Sequence, residues 1–298
     1  FYSIRDVKVI SKIVNFYISC FTFICLLGLF FYFIALFTRD SNVFALYKGF
    51  SISGIVLPRM LTPFHSEPGP FGTFLVSSVL MAFILERRKS FYIQLLSVFL
   101  TFSTLGIITL IITLVFYFGR KNLLYGLIFA SIFLSPLILI KSLQPIFSWK
   151  IQQLIYNAEE HTRLGGRFAG MIIAPNMISD KPILGIGWEN YGYKRNMDEY
   201  VGEAAKVGPG DSPSNTYLQI AAEVGILGLI SLMLIFIIFL STIWKNINSN
   251  DKLLSAISAS SFSMIFALLS ASTLTFHYIW VLSGILMALT KINKKNSI

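Results

Sequence analysis

Apolar runs long enough to cross a membrane fill most of this sequence, and one polar stretch of about eighty residues separates them. The first run, Ile13–Phe37, has about 25 residues, and a transmembrane helix needs ~20. Backbone groups in lipid must bond within their own segment, so such runs can only be helices. The polar stretch, Lys141–Glu223, contains glycine, proline and arginine, and connections of this kind often carry function. We therefore predict an all-α integral membrane protein with its chemistry in the polar stretch.

The composition supports this class. Of the 298 residues, 55% are hydrophobic and 13% are charged, whereas a soluble domain carries roughly 25% charged residues. The formal charge of +10 is typical of Lys and Arg that flank membrane spans. We therefore expect a lipid bilayer as the environment and no nucleic-acid partner.

The run Phe91–Phe118 has two interpretations, because its 28 residues form either one tilted helix or a hairpin of two short spans. A hairpin turning near Ser103–Gly106 puts the basic residues on both sides of it, Arg87–Lys89 and Arg120–Lys121, on one face of the membrane. A single span would put them on opposite faces. The tendency of basic loops to stay inside favours the hairpin.

With the hairpin, about eight helices cross the membrane, both termini are cytoplasmic and one long loop domain is external. The expected domains are residues 1–140 with five crossings, the loop 141–223, and residues 224–298 with three crossings. Within the loop, Pro145–Glu160 has helical spacing of its apolar residues, and this predicts either a helix lying in the interface or a helix packed on the bundle. The crossings after the hairpin are expected at Asn122–Ile140, Val224–Trp244, Leu253–Ser272 and His277–Leu289.

Two external segments each place an arginine beside a glycine- or proline-rich turn. Arg59 precedes His65 and Glu67, and Arg163 and Arg167 flank Gly165–Gly166. Guanidinium groups bind phosphate through paired, charge-assisted hydrogen bonds, and a pyrophosphate on a lipid carrier fits that chemistry. The alternative is that these arginines bind lipid headgroups or pair with Glu159 and Glu160.

Sugar transfer from a lipid diphosphate also needs a group that accepts the proton of the attacking hydroxyl. Glu67 and His65 are the best candidates, Asp211 is a rival and Glu223 is a weaker one; each could instead be structural. Gly185–Gly192 lacks the context of a nucleotide-binding loop, and the three histidines lack metal-ligand spacing. No cofactor and no metal are therefore expected.

Four segments, taken in order, resemble the superfamily of O-antigen ligases and O-antigen polymerases, which are bacterial inner-membrane enzymes acting on glycans linked to undecaprenyl diphosphate. The segments are Arg59 with Glu67-Pro68, the small-residue turn in Leu100–Gly106, Gly166-Arg167-Phe168 followed by Pro182–Gly187, and Ser214–Leu229. Together they cover roughly Leu57–Leu240. The resemblance implies further spans upstream of Phe1.

Residue roles follow from the resemblance. Arg59 and Arg167 would hold the diphosphate, Glu67 would act near the acceptor hydroxyl, and Asn215 would shape the site. Gly225 and Gly228 would allow close helix packing. The catalytic candidates are thus Arg59, His65, Glu67 and Arg167, and the substrate-binding candidates are Arg163, Asp211, Ser214, Asn215 and Glu223.

Two departures from the family pattern favour a polymerase of surface polysaccharide repeat units over a ligase to lipid A core. Ser214 stands where ligases commonly have histidine, and Ser103-Thr104 stands where many members have Ser-Arg. Two other classes remain open: a flippase for the same lipid-linked glycan, and a non-catalytic subunit of a polysaccharide assembly. Transporters usually show repeated halves, and this sequence has no internal repeat.

Overall fold

The computed structural model describes residues 6–38, 50–52, 55–62, 68–121, 163–201, 213, 215–268 and 277–296. These residues form helices, the turns and loops that connect them, and a small antiparallel pair of strands, β1 (Phe50–Ile52) and β2 (Ile55–Leu57), in which Phe50 pairs with Leu57. The sequence analysis does not anticipate the strands, which are only three residues long. The helices are α1 (Val7–Thr38), α2 (Pro68–Ile84), α3 (Arg88–Leu100), α4 (Thr104–Lys121), α5 (Arg163–Asp180), α6 (Tyr191–Lys194), α7 (Asp198–Val201), α8 (Thr216–Asn246), α9 (Lys252–Ala267) and α10 (His277–Asn296).

Two of these helices, α1 and α8, are long and apolar enough to cross a membrane, with 32 and 31 residues. The apolar stretches in α2, α4, α9 and α10 are shorter. The number of eight crossings therefore stays a prediction, and the expected crossing at 122–140 lies outside the described residues. The chain divides into two compact units, Phe1–Ile132 with Phe239–Ala267 and His277–Ile298, and Phe133–Ile238 with Leu268–Phe276.

Helix α2 is the centre of the first unit. Almost all of its residues are buried, and it packs against α1, α3, α4 and α9. Its neighbour α9 contributes buried serines, among them Ser258 and Ser260. Small residues allow close approach of helices in membranes, and Ser260 Oγ donates to the carbonyl oxygen of Ser77 on α2 at 2.7 Å. A polar contact of this kind satisfies a hydroxyl that lipid could not solvate.

The start of α3 and the end of α4 lie at the same end of the first unit. Glu86, just before α3, forms a 2.7 Å ion pair with Lys252, and the carbonyl oxygen of Arg120 accepts a hydrogen bond from Asn248 Nδ2 at 2.6 Å. Asn248 lies in the connection between α8 and α9, and Lys252 is the first residue of α9. Residues 91–118 thus contribute to two helices, α3 and α4, whose outer ends lie at one end of the first unit; that they cross the membrane as a hairpin stays a prediction.

The second unit contains α5, α6, α7 and the first part of α8. Its core consists mainly of apolar side chains from these helices and their connections. Ile173 and Met177 of α5 pack there with Ile186, Tyr191 and Ala222. This core holds α5, the loop that follows it and α8 together, and it forms the scaffold of the candidate site.

Candidate functional site

Arg59 lies in the first unit and contacts the break between α3 and α4. Its Nε donates to the carbonyl oxygen of Thr101 at 2.9 Å, and one terminal nitrogen donates to that of Phe102 at 3.4 Å. The next residue, Met60, donates its N–H to the carbonyl oxygen of Leu100 at 2.8 Å. The last carbonyls of a helix lack partners within the helix, and a cation there is favoured by the helix dipole. Arg59 thus stabilises the end of α3.

The break itself is a compact, hydrogen-bonded turn. Thr101 and Ser103 are buried, and Phe102 has a φ of +47°, which L residues rarely adopt. Ser103 Oγ accepts the N–H of Gly106 at 3.0 Å, as an N-cap of α4 does, and donates to Gly69 at 3.1 Å. A Cβ at Gly72 would lie 2.6 Å from Thr101 Oγ1. The small residues of this turn therefore let the start of α2 and the start of α4 touch.

In the second unit, the loop after α5 docks on a kink in α8. The kink is at Gly225, with φ +74° and ψ −169°, and a Cβ there would collide with the carbonyl oxygen of Ile183. Ile226 N donates to the carbonyl oxygen of Pro182 at 2.8 Å, and Ile186 N donates to that of Ala222 at 2.9 Å. The two segments of the family pattern, Pro182–Gly187 and Glu223–Gly228, are therefore bound to each other through their backbones.

This docking corrects the close helix packing expected of Gly225 and Gly228. At Gly225 the chain leaves helical geometry. The residue that lies against it is Ile183 of the loop, not a residue of a second helix. The nearest atoms to a Cβ at Gly228 belong to Val224 and Ile220, one or two turns back on α8 itself. The backbone of α8 also occupies the space beside Gly185, whose φ is +68°.

Glu223 is buried, with 2% of its surface exposed. Its Oε1 accepts hydrogen bonds from the backbone N–H of Tyr191 at 3.3 Å and from Gln219 Nε2 at 3.2 Å. The backbone carbonyl of Glu223 also accepts the N–H of Gly187 at 2.9 Å. Glu223 therefore joins α8 to the start of α6, and these contacts describe a positioning role.

Asn215 caps α8. Its Oδ1 accepts the N–H groups of Tyr217 at 2.9 Å and Leu218 at 3.1 Å, the pattern of a helix N-cap. Thr216 N donates to the carbonyl oxygen of Leu268 at 3.1 Å. The start of α8 is thereby fixed, and the half-exposed Asn215 is held at a defined place.

Arg163 and Arg167 are part of α5, so the prediction of a glycine-rich turn beside them is wrong. Helix continues through Gly165–Gly166 because the helix is anchored farther along by the buried Ile173, Ala174 and Met177. Gly170, three residues after Arg167, lies against Pro213, where an added Cβ would be 2.6 Å from the proline Cα. The helical turn that carries Arg167 therefore lies next to the segment that leads into Asn215.

Four predicted site residues lie outside the described residues: His65, Glu67, Asp211 and Ser214. The helix expected at 145–160 and its Glu159 and Glu160 also lie outside them. Arg59 belongs to the first unit, and Arg163, Arg167, Asn215 and Glu223 belong to the second.

Arg195 is a basic residue that sequence reasoning missed. It follows α6, is only 1% exposed and is among the largest fully buried side chains. In the sequence it stands in Lys194-Arg195-Asn196, which looks like a solvated basic segment. Because it is buried, Arg195 belongs to the interior of this unit rather than to its surface. A buried guanidinium is costly unless its charge is compensated.

A comparison with known protein families finds a match that covers most of the residues described above. A model of the family described as O-antigen ligase matches residues 90–233, which include most of α3, all of α4, Arg167, the loop Pro182–Gly187 and the kink at Gly225. The match begins after Arg59, His65 and Glu67. No curated protein matches the chain. Residues 90–233 are therefore similar to this family, whose members are membrane proteins of the glycosyltransferase type, and the match supports a relation of the chain to the superfamily of O-antigen ligases and O-antigen polymerases.

Proposed function

We propose that this chain is a polymerase that joins repeat units of a bacterial surface polysaccharide at the inner membrane. The donor is an oligosaccharide on undecaprenyl diphosphate, and the acceptor is a hydroxyl of a second glycan. The observation that carries the proposal is the contact of Gly170 with Pro213, which puts the Arg167 turn beside the segment that ends in Asn215. Ser214 in place of the histidine common in ligases favours a polymerase over transfer to lipid A core.

The arrangement of charges supports the proposed topology. Exposed basic residues lie where α2, α4 and α8 end and where α3 and α9 begin. Two contacts join these helix ends: Glu86 pairs with Lys252, and Asn248 donates to the carbonyl oxygen of Arg120. Basic loops tend to face the cytoplasm. The turn between α3 and α4 lies at the other end of those two helices, so Arg59 would face the outside, the side on which the loop 141–223 is also predicted. The basic side chains are Arg87, Arg88, Lys89, Arg120, Lys245 and Lys252.

The proposed reaction is a displacement at the anomeric carbon of the donor. The acceptor oxygen forms a bond to that carbon while the bond from the carbon to the diphosphate oxygen breaks, and undecaprenyl diphosphate leaves. Glu67, or His65 as the alternative, takes the proton of the acceptor hydroxyl. Arg167 and Arg59 stabilise the charge that develops on the diphosphate. The reaction as proposed uses no cofactor and assigns no step to a metal.

In this scheme the guanidinium of Arg59 also has hydrogen-bond partners within the protein. Its Nε and one terminal nitrogen donate to Thr101 and Phe102, so the guanidinium is held at the turn between α3 and α4. A guanidinium presents five donors in a rigid fork, and a side chain that is already held in place loses less entropy when it binds an anion. We therefore assign Arg59 both a structural and a substrate-binding role.

The test is polymer formation in cells whose only copy of the protein carries Arg167→Ala or Arg59→Ala. We expect long polymer to disappear and single lipid-linked repeat units to accumulate on the outer side of the membrane. Arg88→Ala, which removes an exposed charge at the opposite end of the first unit, is the matched control and should leave polymer length unchanged.

The alternatives give different products in the same cells. Loss of a ligase would leave long polymer on undecaprenyl diphosphate, and loss of a flippase would leave repeat units on the cytoplasmic side. If both arginine variants make full-length polymer in normal amounts, a non-catalytic subunit is the correct assignment and the transferase proposal fails.

A further inference from the structure

Two large apolar side chains project from the loop between α5 and α6. Ile183 is 60% exposed and Leu184 is 73% exposed. Their backbone is firmly held, because Pro182 accepts the N–H of Ile226, Ile183 lies against Gly225, and Gly185 N donates to Lys181 at 2.9 Å. The exposure is therefore built into a fixed loop.

The neighbouring surface of α8 is also apolar and exposed. Ile226 and Leu227 follow the kink directly, and Ile230 lies one turn farther on; all three are roughly half exposed. Because Ile226 is hydrogen-bonded to Pro182, the loop residues extend the same apolar surface. A contiguous exposed apolar surface marks a site of contact with a membrane or another protein.

The length of α8 places this surface relative to the bilayer. At the far end of the helix, Trp244 lies under the guanidinium of Arg120, whose Cζ is 4.2 Å from the ring centroid, and Lys245 follows. Tryptophan and basic residues mark the membrane interface. The helix from Ile226 to Trp244 rises about 28 Å at ~1.5 Å per residue, close to the ~30 Å thickness of the hydrocarbon. The other hydrocarbon boundary therefore falls at Gly225, where the loop docks.

We propose that Ile183 and Leu184 form a membrane anchor that inserts into the leaflet at the Gly225 end of α8, among the lipid acyl chains next to the headgroups. The exposed Lys181, just before the anchor, and Trp188, just after it, suit the headgroup layer. The anchor fixes the height of the second unit at the membrane surface. It is independent of the transfer reaction, so its test and the test of the polymerase proposal can fail separately.

The experiment measures the depth of a nitroxide spin label on Leu184→Cys, in a background with Cys20→Ala and Cys25→Ala, in bilayers of phosphatidylethanolamine and phosphatidylglycerol. Oxygen concentrates in the hydrocarbon, whereas a nickel chelate stays in water. We expect the label at 184 to collide several-fold more with oxygen than with the chelate. Glu199→Cys, an exposed position on α7, is the control and should show the reverse. Ile183→Cys provides a second position if the first variant is not produced.

Two results would overturn the anchor. A label at 184 that collides mainly with the nickel chelate, as the control does, would show that the loop is in water. A label that neither reagent reaches would show that protein covers the surface, either a second copy of the chain or a partner.

Discussion

Arg59 donates from Nε to the carbonyl oxygen of Thr101 across 2.9 Å, and this bond connects the segment after β2 to the break between α3 and α4. The residue chosen from the sequence as a diphosphate ligand thus also stabilises the turn at which it lies. A variant at Arg59 will therefore change both stability and activity, and the two effects have to be separated.

Arg59→Ala should destabilise the protein by about 1–3 kcal/mol, because hydrogen bonds to charged groups contribute roughly 1.5–3 kcal/mol and Arg59 is half exposed. Arg59→Lys keeps the charge but loses the two-donor geometry, so we expect part of the stability and little of the activity to return. Thermal unfolding in detergent and polymer length in cells are the measurements. Equal stability of Arg59→Ala and the wild type would contradict the structural role.

Gly225→Ala should prevent normal docking of the Pro182–Gly187 loop, because an added Cβ meets the carbonyl of Ile183 and the φ of +74° is unfavourable for alanine. We expect a loss of at least ~2 kcal/mol. Gly192→Ala is the matched control: Gly192 lies in α6 with nothing within 4 Å of an added Cβ, so its effect should stay within ~1 kcal/mol. Limited proteolysis of the loop and thermal unfolding test both variants.

The apolar runs locate the long helices well. The run Ile13–Phe37 lies within α1, and the run Val224–Trp244 lies within α8. The helix break at Thr101–Ser103 lies next to Ser103–Gly106, where the hairpin interpretation puts its turn. The apolar run itself allowed one helix or two, and the basic residues that flank it favoured two. In each case the signal is local in sequence.

The docking of the loop on α8 could not be predicted in the same way. Gly225 is about forty residues from Ile183 in the sequence, and the two segments are joined by backbone groups, which leave no pattern of side chains. The pattern Glu-x-Gly-x-x-Gly therefore reads as a small-residue helix face. The burial of Arg195 depends on the packing of the whole second unit, and its sequence neighbours do not reveal it.

Tyr200 should make the second unit sensitive to alkaline pH. Its hydroxyl donates to Asp180 Oδ2 at 2.8 Å, and this hydrogen bond to a carboxylate, together with burial, raises the pKa of Tyr200 above its ordinary value near 10. The folded state therefore holds this proton more tightly than the unfolded state does. The stabilisation is complete below pH ~10 and is lost as pH rises from there through the raised pKa.

Tyr200→Phe tests this linkage. The variant should be less stable at neutral pH by about 1–3 kcal/mol, and its stability should fall less steeply as pH rises above ~10. Chemical unfolding as a function of pH measures both effects. An identical alkaline decline in the wild type and the variant would show that another group is responsible.

Substitutions of Glu223 distinguish a positioning role from a direct role in catalysis, because the described contacts of its side chain need only an acceptor oxygen. Glu223→Gln keeps such an oxygen for the N–H of Tyr191, whereas Glu223→Ala leaves that buried N–H without it, at a cost of ~1–3 kcal/mol. We expect Glu223→Gln to retain polymer formation within about threefold. Glu223→Ala should lose about tenfold or more, since ~1.4 kcal/mol corresponds to tenfold in rate, and its loop at 181–195 should be cleaved faster by protease. Equal loss of activity in both variants, with an intact loop, would instead mean that the negative charge of Glu223 acts on the substrate.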